Sequence, residues 1–331
     1  MPPAPRIPVI VGPTAGGKTG LAVEVAMEFA RRGLSEGGGE GSGPGGGRGE
    51  IISADAFQVY RGMDIGTGKA TADEQRGVAH HLLDILEPDA SEPFTVVRWL
   101  ELAERAIGDI RARSNLPIVV GGTHLYIKSF MEGMFEGPGA DEGLRAELRG
   151  LKSSALRAEL ERIDPEAAGR IHPNDQRRTI RAIEVFRLTG RPISDHQAQW
   201  DRASSVRPDA FLVGLDWPSE QINRRINARV KQMVEAGFVE EVRGLVETGR
   251  LEAQAREALG YKQLAAWLEA GADPDQLAET IERIKIETRR FAKSQRTWLR
   301  RLRLLDGSVW LNPAETDQTD MARVVVDRAM G

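Results

Sequence analysis

One segment, Gly12-Pro13-Thr14-Ala15-Gly16-Gly17-Lys18-Thr19, constrains this chain more than any other. It follows the apolar run Ile7–Val11 and opens a stretch in which Leu21, Val25, Ala26 and Phe29 recur at helical spacing. A buried strand, a glycine loop and a helix in that order make a phosphate cradle. The glycines let backbone N–H groups curl around phosphate oxygens, and the positive end of the helix points at the same anion. Lys18 then lies against the phosphate charge, and the Thr19 hydroxyl is placed for Mg²⁺. The pattern does not say which phosphate compound is held, because kinases, nucleotide hydrolases and other enzymes share it.

Further strands are expected at residues 51–54, 116–120, 211–215 and 309–311, separated by helical patterns such as 94–113. This alternation predicts an α/β fold: a P-loop NTPase-like parallel sheet wound with helices on both faces. Ligands bind beyond the carboxyl ends of the strands in such sheets. The glycine loop, Asp55 and Thr123 all fall at such ends. Residues 134–200 read differently, with helical patterns over 142–161 and 174–188 and no strand between. An all-helical insertion is expected there, dividing the core into 1–133 and 201–331. Residues 33–49, mostly Gly, Ser and Glu, have too little apolar surface to pack and are expected to be a flexible insertion. Long helices rich in Arg and Lys are expected over 222–246 and 275–302.

The chain has no cysteine, so thiolate chemistry and metal sites built on Cys are excluded. No apolar run approaches eighteen residues, and the first residues carry no signal-peptide pattern, so a cytoplasmic protein without a membrane span is expected. The net charge of −4 is unlike that of many nucleic-acid binders, but its distribution is uneven. Residues 170–191 carry a surplus of four positive charges and residues 283–303 a surplus of eight, enough for local phosphate contacts.

Single residues leave alternatives open. Asp55 could hold Mg²⁺ through water, accept a proton from a nucleophile, or simply cap a turn. The strand before Gly121-Gly122-Thr123 lacks the acid that nucleotide hydrolases place there, which weakens a hydrolase reading. Arg225 and Arg229, one helical turn apart and next to Arg224, could clamp a diphosphate or form a solvated basic face. His80 and His81 are adjacent and lack the spacing for a shared metal. Phe291 and Trp298, seven apart, are expected to pack the core, with base stacking the alternative.

Taken in order, several segments form a recognisable set. They are Gly12 to Thr19; Ile52-Ser53-Ala54-Asp55 with Gln58-Val59-Tyr60; Gly62-Met63-Asp64-Ile65-Gly66-Thr67; and His80-His81-Leu82-Leu83-Asp84. Gly121-Gly122-Thr123-His124-Leu125-Tyr126, Arg181-Ala182-Ile183-Glu184-Val185, Leu259-Gly260-Tyr261-Lys262-Gln263 and Lys293-Ser294-Gln295-Arg296-Thr297-Trp298-Leu299-Arg300 follow. The set resembles the bacterial tRNA dimethylallyltransferases over residues 7–301.

The resemblance implies transfer of a dimethylallyl group from its diphosphate to the exocyclic amine of an adenosine flipped out of a tRNA anticodon loop. It implies Asp55 as general base, Arg229 as holder of the diphosphate with Lys18, Thr14 and backbone amides, and a diphosphate site formed by Gly12, Pro13, Thr14, Ala15, Gly16, Gly17, Lys18 and Thr19. Thr19 would bind Mg²⁺. The anticodon stem-loop would touch Asp55, Ala56, Phe57, Gln58 and Thr123, then Arg177, Arg178, Thr179, Ile180 and Arg181 with the helical insertion, then Arg256, Gly260 and Tyr261. A monomer is expected. Ala56, Arg177 and Ser219 stand where the family commonly has Ser, Gln and Arg, and the glycine-rich insertion is longer than expected. A free-adenylate isopentenyltransferase, a P-loop small-molecule kinase and a non-catalytic RNA-binding protein are the competing readings.

Overall fold

The structure, a computed structural model, describes residues 4–35, 47–134, 137–202, 207–303, 305 and 307–331. The chain forms two compact units, Met1–Ser129 with Pro208–Gly331, and Phe130–Arg207.

The first unit begins β1 (Ile7–Val11), α1 (Lys18–Ser35), β2 (Gly49–Ala54), α2 (Ala72–Gln75), β3 (His80–His81), α3 (Val96–Ala112) and β4 (Leu116–Gly121), and α4 (His124–Glu132) contains the boundary at Ser129. In the second unit come α5 (Glu142–Arg149), α6 (Ser153–Ile163), α7 (Pro165–Arg170), α8 (Gln176–Thr189) and α9 (Ile193–Arg202). The first unit resumes with β5 (Ala210–Leu215), α10 (Ser219–Glu235), α11 (Phe238–Glu247), α12 (Ala253–Arg256), α13 (Tyr261–Glu269), α14 (Pro274–Leu302), β6 (Val309–Leu311) and α15 (Gln318–Met330).

The strands lie in the order β3-β2-β4-β1-β5-β6, all parallel, with Val9 of β1 opposite both Val119 and Leu212. Every residue of β1, β2, β4 and β5 is buried, as expected of strands covered on both faces. The crossover from β1 through α1 passes β4 to reach β2, and the crossover through α3 returns to β4. Right-handed crossovers running in opposite directions place α1 and α3 on opposite faces. The chain then crosses β1 to reach β5, so the loop after β1 sits where the strand order reverses. That is the position at which a doubly wound sheet leaves a crevice for ligand.

Several expectations change. The edge strand β3, only two residues long, carries too little pattern to be seen in sequence. The single helix expected over 222–246 is two, because Gly237 turns left-handed at φ 97° between α10 and α11. The pattern over 142–161 likewise divides into α5 and α6. The expected insertion at 33–49 is shorter at both ends, since α1 runs to Ser35 and Gly49 already belongs to β2. A Cβ on Gly49 would come within 2.4 Å of Ala26 Cα, so close helix–strand packing requires that glycine. The centre of the insertion, residues 36–46, lies outside the described residues.

The second unit extends from Phe130 to Arg207, wider than the 134–200 read from the helical pattern. Leu148, Leu156, Leu160, Ile163, Ile183 and Val185 form its core. Asp141, Asp164 and Asp175 cap α5, α7 and α8, and Gly190 ends α8 at φ 71°.

Candidate active site

The glycine loop closes tightly between β1 and α1. Gly16 N–H donates to the Pro13 carbonyl at 3.1 Å, while Ala15 and Gly17 take positive φ of 59° and 83°. Such alternation turns successive N–H groups toward one concavity, the arrangement that receives an anion. Lys18 Nζ folds back to the Pro13 carbonyl at 2.9 Å. The outside of the loop is gripped from three places. Trp217 Nε1 donates to the Gly16 carbonyl at 2.9 Å, and Arg225 Nε to that of Ala15 at 2.8 Å. From α14, Gln295 accepts from Thr14 N–H at 2.8 Å and donates to the Gly122 carbonyl at 3.2 Å. One nearly buried amide therefore ties the loop after β1 to the end of β4.

Asp55 follows β2 and faces the same space. Its Oδ1 accepts from the N–H groups of Phe57 and Gln58, at 2.9 and 3.2 Å. These bonds fix the carboxylate, and Oδ2 accepts no hydrogen bond from a described residue. The cavity between the loop and Asp55 measures about 830 Å³ and is also lined by Gln58, Thr67, Gly68, Gly122 and Arg229. Thr14, Ala15, Gly16, Gly17, Lys18 and Thr19 form its floor. Pro13 is buried, and Gly12, also buried, borders a small separate cavity beside His124.

Arg229 reaches the cavity because of one glycine. Its Nη2 donates to the Gly68 carbonyl at 3.4 Å, and a Cβ on Gly68 would lie 1.6 Å from it. The Asp64–Gly68 loop is itself held by Glu241 of α11. That carboxylate accepts from Asp64, Ile65 and Gly66 N–H at 2.9, 2.8 and 3.1 Å, and from the Tyr261 hydroxyl. Gly66 is equally constrained, since a Cβ there would be 2.1 Å from the Phe238 ring. Gln58 adds a brace, accepting from Ser53 Oγ and donating to the Thr67 and Gly68 carbonyls.

Burial lowers the Lys18 pKa to about 8, with Arg229 pushing the same way and Asp55 opposing. Lys18 and Arg229 thus meet beside Asp55, with Arg225 also on the cavity wall, a distribution that favours an added anion. Burial lowers His124 to about 4, with Lys18 contributing, so its ring is neutral at physiological pH. It stacks on Trp298 at 5.2 Å. Trp298 is thus half-buried against a ring, and Phe291, expected in the core, is exposed.

Other expected contacts are placed differently. Thr123 Oγ1 accepts from Ala56 N–H at 3.1 Å, joining two strand ends. Ala56 and Phe57 lie half-buried beside the cavity. Arg177 and Arg178 are exposed on α8. Thr179 and Ile180, expected to touch RNA, are buried in the core of the helical unit. Arg181 donates to buried Glu184 and to the Pro138 and Gly139 carbonyls, so its charge is matched within its own unit. Arg256 pairs with Glu269. Tyr261 is fully buried with its hydroxyl on Glu241, and Gly260 is buried against Phe238. Arg224, exposed and paired with Glu220, stays out of the cavity that Arg225 and Arg229 line. Among the described residues, no helix is long and apolar enough to cross a membrane.

Comparison with known proteins agrees with this geometry. The IPP transferase family profile matches residues 58–302. A tRNA dimethylallyltransferase of Geobacillus thermodenitrificans is 43% identical over 300 residues, 89% of this chain and 87% of the relative. The crystal structure of a tRNA isopentenylpyrophosphate transferase from Staphylococcus epidermidis superposes with a TM-score of 0.66 at 35% identity, covering 98% of each chain. A eukaryotic dimethylallyltransferase, crystallised acting on tRNA, gives a TM-score of 0.74 at 25% identity over 96% of this chain and 77% of its own. With a phosphate loop, a fixed carboxylate and a convergent arginine in one cavity, and relatives of this similarity over nearly its whole length, the chain belongs to the tRNA dimethylallyltransferase family.

Proposed function

We propose that this chain transfers the dimethylallyl group of dimethylallyl diphosphate to the exocyclic amine of the adenosine immediately 3′ of the anticodon in tRNA. The observation that carries the reading is the shared cavity: the glycine loop that suits a diphosphate and the Asp55 carboxylate line one space of about 830 Å³. The absence of an acid in β4 supports displacement of the diphosphate over nucleotide hydrolysis.

In this reading the diphosphate lies on the amides of residues 14–19, with Lys18 and Arg229 against its oxygens. The adenine amine approaches from the Asp55 side. The allylic carbon bonds to nitrogen as its bond to the diphosphate oxygen breaks, and that electron pair leaves with the diphosphate. The amine proton passes to Asp55 Oδ2, the oxygen without a hydrogen bond from the protein. Charge gathers on the leaving group in the transition state, so Lys18, Arg229 and the loop amides stabilise it more than the bound donor.

The donor set suits Mg²⁺. No three His, Cys, Asp or Glu side chains cluster among the described residues, so an ion here would take most of its oxygens from phosphate and water, as Mg²⁺ does. Thr19, in the first turn of α1 and on the cavity wall, would hold it. When bound, that ion supplies further positive charge to the departing diphosphate.

The test is incubation of purified protein with Mg²⁺, dimethylallyl diphosphate and an unmodified anticodon stem-loop, read by mass spectrometry of the RNA. One added prenyl group per RNA is the expected result. Prenylation of AMP without prenylation of RNA would move the assignment to a free-adenylate enzyme, and ATP consumption to a kinase.

A further inference from the structure

The nine basic residues of positions 283–303 are not equivalent in the structure. Arg283 pairs with Glu287, Lys285 with Glu282, and Arg303 with Asp216. Arg289 donates to Asn227 and lies 3.6 Å from Glu282. Arg290, Lys293, Arg296 and Arg300 have no carboxylate within ion-pair distance among the described residues. All four line one groove of about 380 Å³ between α10 and α14, floored by the apolar side chains of Ile222 and Ala292. Arg296 is aimed across it by a hydrogen bond to Ser219 Oγ at the head of α10. From Arg290 to Arg300 the helix rises roughly 15 Å.

A carboxylate nearby would normally relieve four cations crowded along one face of a protein with net charge −4. Here no described carboxylate does, although Arg283, Lys285 and Arg289 of the same helix lie beside its own carboxylates. Three of the four, Arg290, Lys293 and Arg300, are exposed. We infer that the α10–α14 groove binds backbone phosphates of the RNA substrate, as an electrostatic holding surface separate from the catalytic cavity. This inference rests on the proposed tRNA reading. The groove shares α10 with the cavity: Ser219, Ile222 and Asn223 face the groove, while Arg225, Ala228 and Arg229 face the cavity. RNA held in the groove is therefore held beside the diphosphate site, and Gln295, between Lys293 and Arg296, touches the phosphate loop itself. Cations spaced along the groove suit phosphates spaced along an RNA strand, so the contact is expected to be largely independent of sequence.

The triple variant Arg290→Gln, Lys293→Gln, Arg300→Gln tests it, since none of the three side chains makes an ion pair with a described residue that the substitution would break. Steady-state prenylation of full-length unmodified tRNA is measured for wild type and variant across a salt series. The inference expects KM for tRNA to rise at least about tenfold, with kcat and KM for dimethylallyl diphosphate within about twofold. It also expects the slope of log affinity against log salt to lose about two to three. An unchanged KM and salt slope in a variant that keeps the wild-type melting temperature overturns it. So does an equal loss of affinity for the diphosphate donor. Failure of the wild type itself to modify any RNA would refute the tRNA reading instead, so the two failures are told apart.

Discussion

Helices α8 and α10 are both arginine-rich, yet Arg181 and Arg187 on the first and Arg225 and Arg229 on the second do opposite things. On α8, Arg178 and Arg181 meet Asp175 and Glu184, acids already counted in the surplus of residues 170–191, while Arg187 meets Glu147 and Glu159 and Arg170 of α7 meets Glu166, so part of that surplus is neutralised within the helical unit. On α10, Arg225 and Arg229 meet carbonyl oxygens of two glycine loops and form no ion pair with a carboxylate among the described residues. A carbonyl orients a guanidinium without cancelling its charge, so these arginines remain available to an anion. What separates a structural arginine from a ligand-binding one here is the partner, which a charge count cannot supply.

The comparison can be broken first at Arg229. Arg229→Gln removes a full charge from the cavity while keeping a donor near Gly68. Prenyl transfer should fall by roughly 10²–10³-fold, the scale of losing one stabiliser of developing negative charge, with little change in melting temperature. A drop in melting temperature with activity retained would put Arg229 in the same class as the α8 arginines.

Arg181→Gln should behave in reverse. Glu184 is fully buried and also bonded by Arg145 and Asp141 N–H. Withdrawing one partner leaves part of a buried carboxylate unmatched, a cost of about 1–3 kcal/mol in thermal or urea unfolding. The KM for tRNA, measured well below the melting temperature, should change less than about threefold, the scale of a surface contact. A large KM effect at unchanged stability would restore Arg181 as an RNA contact.

A smaller, graded effect is expected at Lys18. Its pKa of about 8 in the free protein is depressed mainly by burial. The charged form binds diphosphate, so donor affinity should be flat below that pH and weaken as pH rises through it, by up to about tenfold per pH unit. Lys18→Arg keeps the charge above pH 8 and should flatten the profile, whatever it does to the rate. A profile unchanged in Lys18→Arg would assign the titration to another group.

Much of this was legible in sequence where local chemistry decides. The strand-loop-helix around Gly12 to Thr19, the all-buried strands and Asp55 at a strand end follow from apolar runs and glycine placement. The constraint on Gly66 and Gly68 was not legible, because the atoms that exclude a Cβ come from Phe238 and Arg229, far along the chain. Gln295 stood inside a recognised segment, but its bonds to Thr14 and Gly122 exist only once α14 packs on the sheet. Glu241 gave no signal: in sequence it is one acid among several on an ordinary amphipathic helix. The burial of Thr179, Ile180 and Tyr261 and the ion pair of Arg181 were not legible for the same reason, since burial and ion pairing are tertiary properties.

The central claim is that one carboxylate serves a nucleophile while the glycine loop serves the leaving group. Asp55→Asn keeps the size of the side chain and its carbonyl for Phe57 and Gln58 N–H, but it cannot accept the amine proton. The direct measurement is the single-turnover rate of prenyl transfer to an anticodon stem-loop, with donor and RNA both saturating. A fall of about 10²–10⁴-fold with both ligands still bound is the expected result. A rate within a few-fold of wild type would mean that Asp55 only shapes a turn and that the proton leaves by another route.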